Sequence, residues 1–245
     1  IPYAKPPIDE LRWKAPRSIN QPQKLLLQKD NNFCVQRPSS LGGASGDGIY
    51  VGTEDCLYLD IAAPANKKSE LIPVMFWIHG GGNTSGLKDL YDFTKFVRKQ
   101  NVIVVTINYR LGPLGWFTHP AIQGSHTGLD KASNFGTLDI ISALEWVNEN
   151  INSFGGDPKN ITIFGESAGG HNVLSLLVSK RAKGLFHKAI SMSGYTESIS
   201  TEDAFRQENK SSTSNYTSWK VVNKVIDNQA DKNVDHKYSN EEIRA

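Results

Sequence analysis

Three short, unbroken apolar runs constrain this chain more than anything else in it. They are Ile72-Pro73-Val74-Met75-Phe76-Trp77-Ile78, Val102-Ile103-Val104-Val105-Thr106-Ile107 and Ile161-Thr162-Ile163-Phe164. A strand with one wet face alternates apolar and polar residues. A run that is apolar throughout suits a strand covered on both faces. Ala189-Ile190-Ser191-Met192 is a fourth, weaker run, and Leu57 to Ile61 alternates, with Tyr58 and Asp60 between aliphatics, as a partly exposed strand does. Helix-like segments lie between the runs: Tyr91 to Gln100, Leu138 to Ile151 and Ala168 to Ser179. The second places Ile141, Leu144, Val147 and Ile151 on one face, and the third does the same with Val173, Leu174, Leu176 and Leu177. Buried strands alternating with helices specify an α/β chain with a mostly parallel sheet flanked by helices. There is no internal repeat.

Composition removes several alternatives. Hydrophobic residues make up 38% of the 245 and the 21 glycines about 9% more, together ordinary for a globular protein, and 27 Lys+Arg against 25 Asp+Glu leave a net charge of +2. That balance is too even for an electrostatic nucleic-acid binder. No apolar run approaches the roughly 20 residues that cross a bilayer, so no transmembrane segment is expected.

The reading of organisation is one domain over 1–245. Past Thr201 the composition turns polar, and an amphipathic helix near Tyr216 to Gln229 carries Trp219, Val222, Val225 and Ile226. Residues 201–245 therefore read as the start of a peripheral helical region. The chain opens on Ile1-Pro2-Tyr3. It closes with Ser239 and Glu242 in a capping box that announces a helix with about one turn left to run. Both ends read as cuts, so a fragment of a longer protein is expected. Cys34 and Cys56 flank a Gly- and Ser-rich loop; spacing alone allows a disulfide or two reduced thiols.

Chemistry concentrates at two places. Gly165-Glu166-Ser167-Ala168-Gly169 follows a buried strand and leads into a helix. That setting is a nucleophile elbow, in which a sharp turn lifts a serine Oγ above the sheet edge. Outside it, the motif would read as a glycine-rich helix cap. His79-Gly80-Gly81-Gly82 follows another buried strand. Acyl transfer passes through a tetrahedral oxyanion that needs preorganised donors. The expected set is the N–H groups of Gly81, Gly82 and Ala168, with Ser167 as the catalytic nucleophile. Glu166 and His79 are read as supporting residues beside them. A serine esterase of this kind needs no metal and no organic cofactor.

With these motifs in order, the chain resembles the type-B carboxylesterases, the branch of the α/β-hydrolase fold that includes cholinesterases. The likeness runs through Ile1-Pro2-Tyr3-Ala4 with Leu11-Arg12-Trp13, Glu54-Asp55-Cys56-Leu57-Tyr58-Leu59, Asn108-Tyr109-Arg110-Leu111-Gly112, Phe154-Gly155-Gly156-Asp157-Pro158 and the serine motif itself. The resemblance implies an α/β-hydrolase truncated after its nucleophile half, acting on a small-molecule ester. It implies a Cys34–Cys56 disulfide, hence a secreted or periplasmic protein, and ion pairs Arg12–Glu54 and Arg110–Asp157. The triad acid and histidine would follow residue 245, so the 245 residues alone are expected to turn over esters negligibly. His171, one turn after Ser167, reads as a packing residue; His187 and His236 lack an elbow-facing context. Sequons at Asn83, Asn160, Asn209 and Asn215 read as chance matches. A non-catalytic binding or adhesion scaffold is the alternative, opposed by the intact serine and glycines. A cholinesterase proper is opposed by the loop between the cysteines, where Tyr50 is the sole aromatic.

Overall fold

The computed structural model describes residues 1–19, 32–40, 42–65 and 70–205, with Ser218, Val221 and Val222. Its strands are β1 (Leu59–Ala62), β2 (Ile72–Ile78), β3 (Ile103–Ile107), β4 (Gly156–Glu166) and β5 (Lys188–Met192). The helices are α1 (Thr94–Gln100), α2 (Gly112–Gly115), α3 (Pro120–Gln123), α4 (Phe135–Asn150), α5 (Ala168–Val178) and α6 (Thr201–Phe205). The strands form one sheet in the order β1-β3-β2-β4-β5. β1 pairs antiparallel with β3, and every other pairing is parallel.

The apolar runs are covered on both sides because successive side chains point to opposite faces. Val74, Phe76 and Ile78 of β2 join Ile103, Val105 and Ile107 of β3 and Ile161 and Ile163 of β4 in one core with α4 and α5. The intervening Trp77, Val104 and Phe164 turn to the other face, against Val97 of α1. There Trp77 lies among the rings of Tyr91, Phe93 and Phe164, at centroid distances of 5.5, 5.8 and 4.9 Å. β1 keeps the alternation read from its sequence, with Leu59 buried and Asp60 exposed. At the opposite edge, all five residues of β5 are exposed.

Element ends differ from the sequence reading where side chains take over backbone hydrogen bonds. α1 starts at Thr94 instead of Tyr91, because the Asp92 carboxylate accepts the Thr94 N–H at 2.8 Å and turns the chain there. β4 begins at Gly156, five residues ahead of its apolar run, and a register shift between Ile72 and Val74 admits its polar start. Of the peripheral region, α6 is described, and of the helix read near 216–229 the described residues Ser218, Val221 and Val222 are helical; the helix start read at 239–245 lies outside the described residues.

The Cys34–Cys56 disulfide is formed. Arg12 meets Glu54 in a two-pronged pair at 2.6 and 2.7 Å. Arg110 does not pair with Asp157. Arg110 forks onto Asp139 of α4 at 2.8 and 2.7 Å, and its own N–H adds a third bond to that carboxylate. Asp157 accepts the Lys159 N–H instead. The reason is topological. Ile107 of β3 and Gly165 of β4 stand level with Ile78, so Arg110 lies beyond the C-terminal ends of the strands. Asp157 sits eight residues back along β4, roughly 26 Å away at strand rise.

Candidate active site

Ser167 stands at the joint between β4 and α5, with φ 55° and ψ −121°. A non-glycine residue there is strained by roughly 1–3 kcal/mol and persists only where its surroundings impose it. The Ser167 N–H donates to the Met192 carbonyl of β5 at 2.9 Å, and the Ser167 carbonyl accepts the His171 N–H at 2.9 Å. The elbow is thus gripped by the neighbouring strand on one side and by its own helix on the other.

The glycine tract arrives beside it because β2 and β4 are adjacent and in register, Ile78 opposite Gly165. A Cβ built on Gly80 would stand 2.8 Å from the Glu166 carbonyl oxygen and 3.3 Å from the Ser167 Cβ. Gly169 lies so close to the Ile78 carbonyl that no side chain fits between α5 and the end of β2. The two motifs read separately from the sequence, 84 residues apart at Gly82 and Glu166, are therefore in contact.

The tract is shaped to present amides. Gly81 and Gly82 take φ of 94° and 63°, a region that side chains oppose. The Gly81 carbonyl accepts the N–H groups of Thr84 and Ser85, each at 3.0 Å. A trans peptide points its C=O and N–H in opposite directions, so the Gly82 N–H faces away from that turn. Among the described residues, the Gly81 and Gly82 N–H groups donate to no backbone carbonyl. Ala168 is the first residue of α5, where the N–H has no partner within a helix and the helix dipole favours negative charge.

The supporting residues divide. His79 is buried, stacks on Tyr109 at 4.3 Å, and donates from Nδ1 to the Gly80 carbonyl at 2.8 Å. Burial pushes its pKa down to about 4 against the opposing pull of that carbonyl, so the ring is neutral near pH 7. It braces the tract and is not free to act as a base. The Glu166 side chain is exposed, with Oε2 on the flank of Gly80. His171 holds the Tyr195 carbonyl at 2.5 Å and stacks on that ring, a packing role as read from sequence. His187 accepts the Ile161 N–H at 3.2 Å between β4 and β5. His236 lies outside the described residues.

Three residues near the tract carried no sequence signal for a role here: Asn83, Tyr109 and Asn172. The Tyr109 hydroxyl donates to the His79 carbonyl at 2.6 Å, and the Asn172 amide donates to Asn83 Oδ1 at 2.9 Å. Contacts across 26 to 89 residues have no local pattern in the sequence. At Asn83 the sequon pointed elsewhere.

The sequence model of the carboxylesterase family matches residues 1–235. The chain belongs to that family. This carboxylesterase chain is 43% identical over 206 residues to the para-nitrobenzyl esterase of Bacillus subtilis (strain 168), a match covering 83% of the chain and 41% of that protein. It is 40% identical over 217 residues to carboxylesterase 1D of Rattus norvegicus, covering 83% and 37%. Among solved structures it matches a thermophilic PNB esterase at 42% identity and a TM-score of 0.73, over 83% of the chain and 41% of the other. The carboxylesterase chain thus spans about two-fifths of the length of these relatives. Its sheet and flanking helices are those of the α/β-hydrolase fold.

Proposed function

We propose that the full-length protein hydrolyses carboxylic esters through an acyl-serine intermediate. The observation that carries this reading is the strained Ser167 turn with the Gly80–Gly82 tract packed against it. Ser167 Oγ attacks the ester carbonyl. The N–H groups of Gly81, Gly82 and Ala168 take up the oxyanion; losing one such donor typically costs about 10²–10³ in kcat. The rings of His79, His171 and His187 each bond a backbone group through Nδ1. The general base and the acid that orients it are assigned to the part of the protein beyond the described residues, in the chain order Ser, acid, His. Water then releases the acyl group.

The substrate class is small, uncharged esters. Tyr50, the sole aromatic between the bridged cysteines, lies under the Arg37 guanidinium at 5.6 Å, a cation that competes with an ammonium ligand for that face. The disulfide supports an oxidising, extracellular or periplasmic setting, and no described helix is long and apolar enough to cross a membrane. The test is covalent. A fluorophosphonate should label full-length protein at Ser167, and Ser167→Ala should abolish both labelling and ester turnover. Full turnover by Ser167→Ala overturns the reading.

A further inference from the structure

We infer that Asn83 and Asn172 form a positioning pair that fixes the glycine tract relative to Ser167. The inference rests on the esterase reading and names residues outside the motifs that support it. Asn83 is the first residue after the glycines and itself sits in the left-handed region, at φ 58°. It is tied twice. Its carbonyl accepts the Gly112 N–H at 2.7 Å, which anchors the tract to the segment after β3. Its Oδ1 accepts the Asn172 Nδ2 at 2.9 Å, and the Tyr109 hydroxyl approaches the same oxygen at 3.4 Å. The Tyr109 proton goes to the His79 carbonyl, so the donor that holds this oxygen is the Asn172 amide.

Asn172 is 2% exposed and lies on α5 five residues after Ser167. The helix that begins at the nucleophile therefore also holds the far end of the donor loop. Tyr109 closes the arrangement from the near end, through the His79 carbonyl. The tract is thus pinned before Gly80 and after Gly82, and one of its pins moves with the serine. Glycines carry no side chains to hold themselves, and two residues at positive φ give the tract wide conformational freedom when untied. A displacement of about 1 Å at such a site can cost roughly 10²-fold in rate. The pair touches no reacting atom; it acts through the donors.

The test uses full-length protein with Asn172→Ala, Asn83→Ala and the double variant, read in two ways. Amide hydrogen exchange at residues 79–86 should accelerate about tenfold in each single variant while β2 and β3 keep wild-type protection. For ester turnover, kcat should fall about 10- to 100-fold with KM within about twofold, and affinity for a trifluoromethyl ketone, which forms a tetrahedral adduct, should fall in parallel with kcat. The double variant should be no worse than the more severe single one, since either change breaks the same tie. Unchanged exchange at 79–86 overturns the inference. So does accelerated exchange with unchanged kcat, or strictly additive losses. Should Asn172→Ala unfold the protein, Asn83→Ala, at a partly exposed position, gives the same readouts. Failure of the esterase reading shows separately, as turnover that survives Ser167→Ala.

Discussion

At the scale of single residues, the site is built from groups that are costly to keep. Ser167 holds an unfavourable backbone conformation, and His79 is buried beside the glycines with a pKa lowered by burial to about 4 from 6.5. The lowered value makes stability depend on pH in a definite direction. Between pH 6.5 and 4 the unfolded histidine binds a proton that the folded one refuses. Stability from His79 is therefore complete above 6.5, falls as the pH drops toward 4, and changes no further below that. The whole effect is about 3 kcal/mol. Denaturant midpoints recorded from pH 7 to 4 should fall more steeply for the native protein than for His79→Gln, which cannot titrate; equal slopes would place the acid sensitivity in other groups. The residues of the site were unequally legible. Ser167 and the glycines carry short motifs whose chemistry is local, so they were read directly. Asn83, Tyr109 and Asn172 act through distant partners, and an Asn in a helix or after a Gly tract has too many ordinary reasons to be there.

At the scale of elements, β2, β3 and the apolar half of β4 were legible because a strand buried on both faces leaves a pattern that few other structures leave. The polar start of β4 was not. Asp157-Pro158-Lys159-Asn160 carries no apolar run, and it lies in the register shift where the β2 partners pass from Gly156 to Ile161. The mistaken partner of Arg110 came from the resemblance and not from the strands: Arg110 follows β3 and Asp157 opens β4, which puts them at opposite ends of a parallel sheet. The true pair joins the exit of β3 to α4, with side chains 4% and 0% exposed. Removing one member of a buried pair leaves an uncompensated charge and costs about 3–5 kcal/mol. Asp139→Ala should therefore lower the unfolding free energy by about that amount, measured by chemical denaturation, while Asp157→Ala should change it by less than about 0.5 kcal/mol. Equal effects from the two would mean that the Arg110–Asp139 contact does not hold α4 to the sheet.

At the scale of the whole molecule, an irregular N-terminal segment is fastened to the site by a chain of specific contacts. The disulfide closes the loop from Cys34 to Cys56. Inside it the buried Gln36 side chain accepts the Gly86 N–H at 2.9 Å and donates to the Gly86 carbonyl at 2.9 Å. Gly86 in turn is pressed against the His79 ring, where no side chain would fit. Among the described residues before β1 there is no strand or α-helix, and cross-linking them restricts the unfolded chain. For a closed loop of this length the chain-entropy model gives about 3 kcal/mol. Replacing both cysteines with Ala should lower stability by about that amount in denaturant titrations. It should also raise hydrogen exchange in 32–40 and 79–86 together, while α4 stays protected, because Gln36 couples the two segments. Faster exchange confined to 32–40 would show that the coupling through Gln36 is weaker than the contacts suggest. In that case the glycine tract depends on Asn83, Tyr109 and α5 alone.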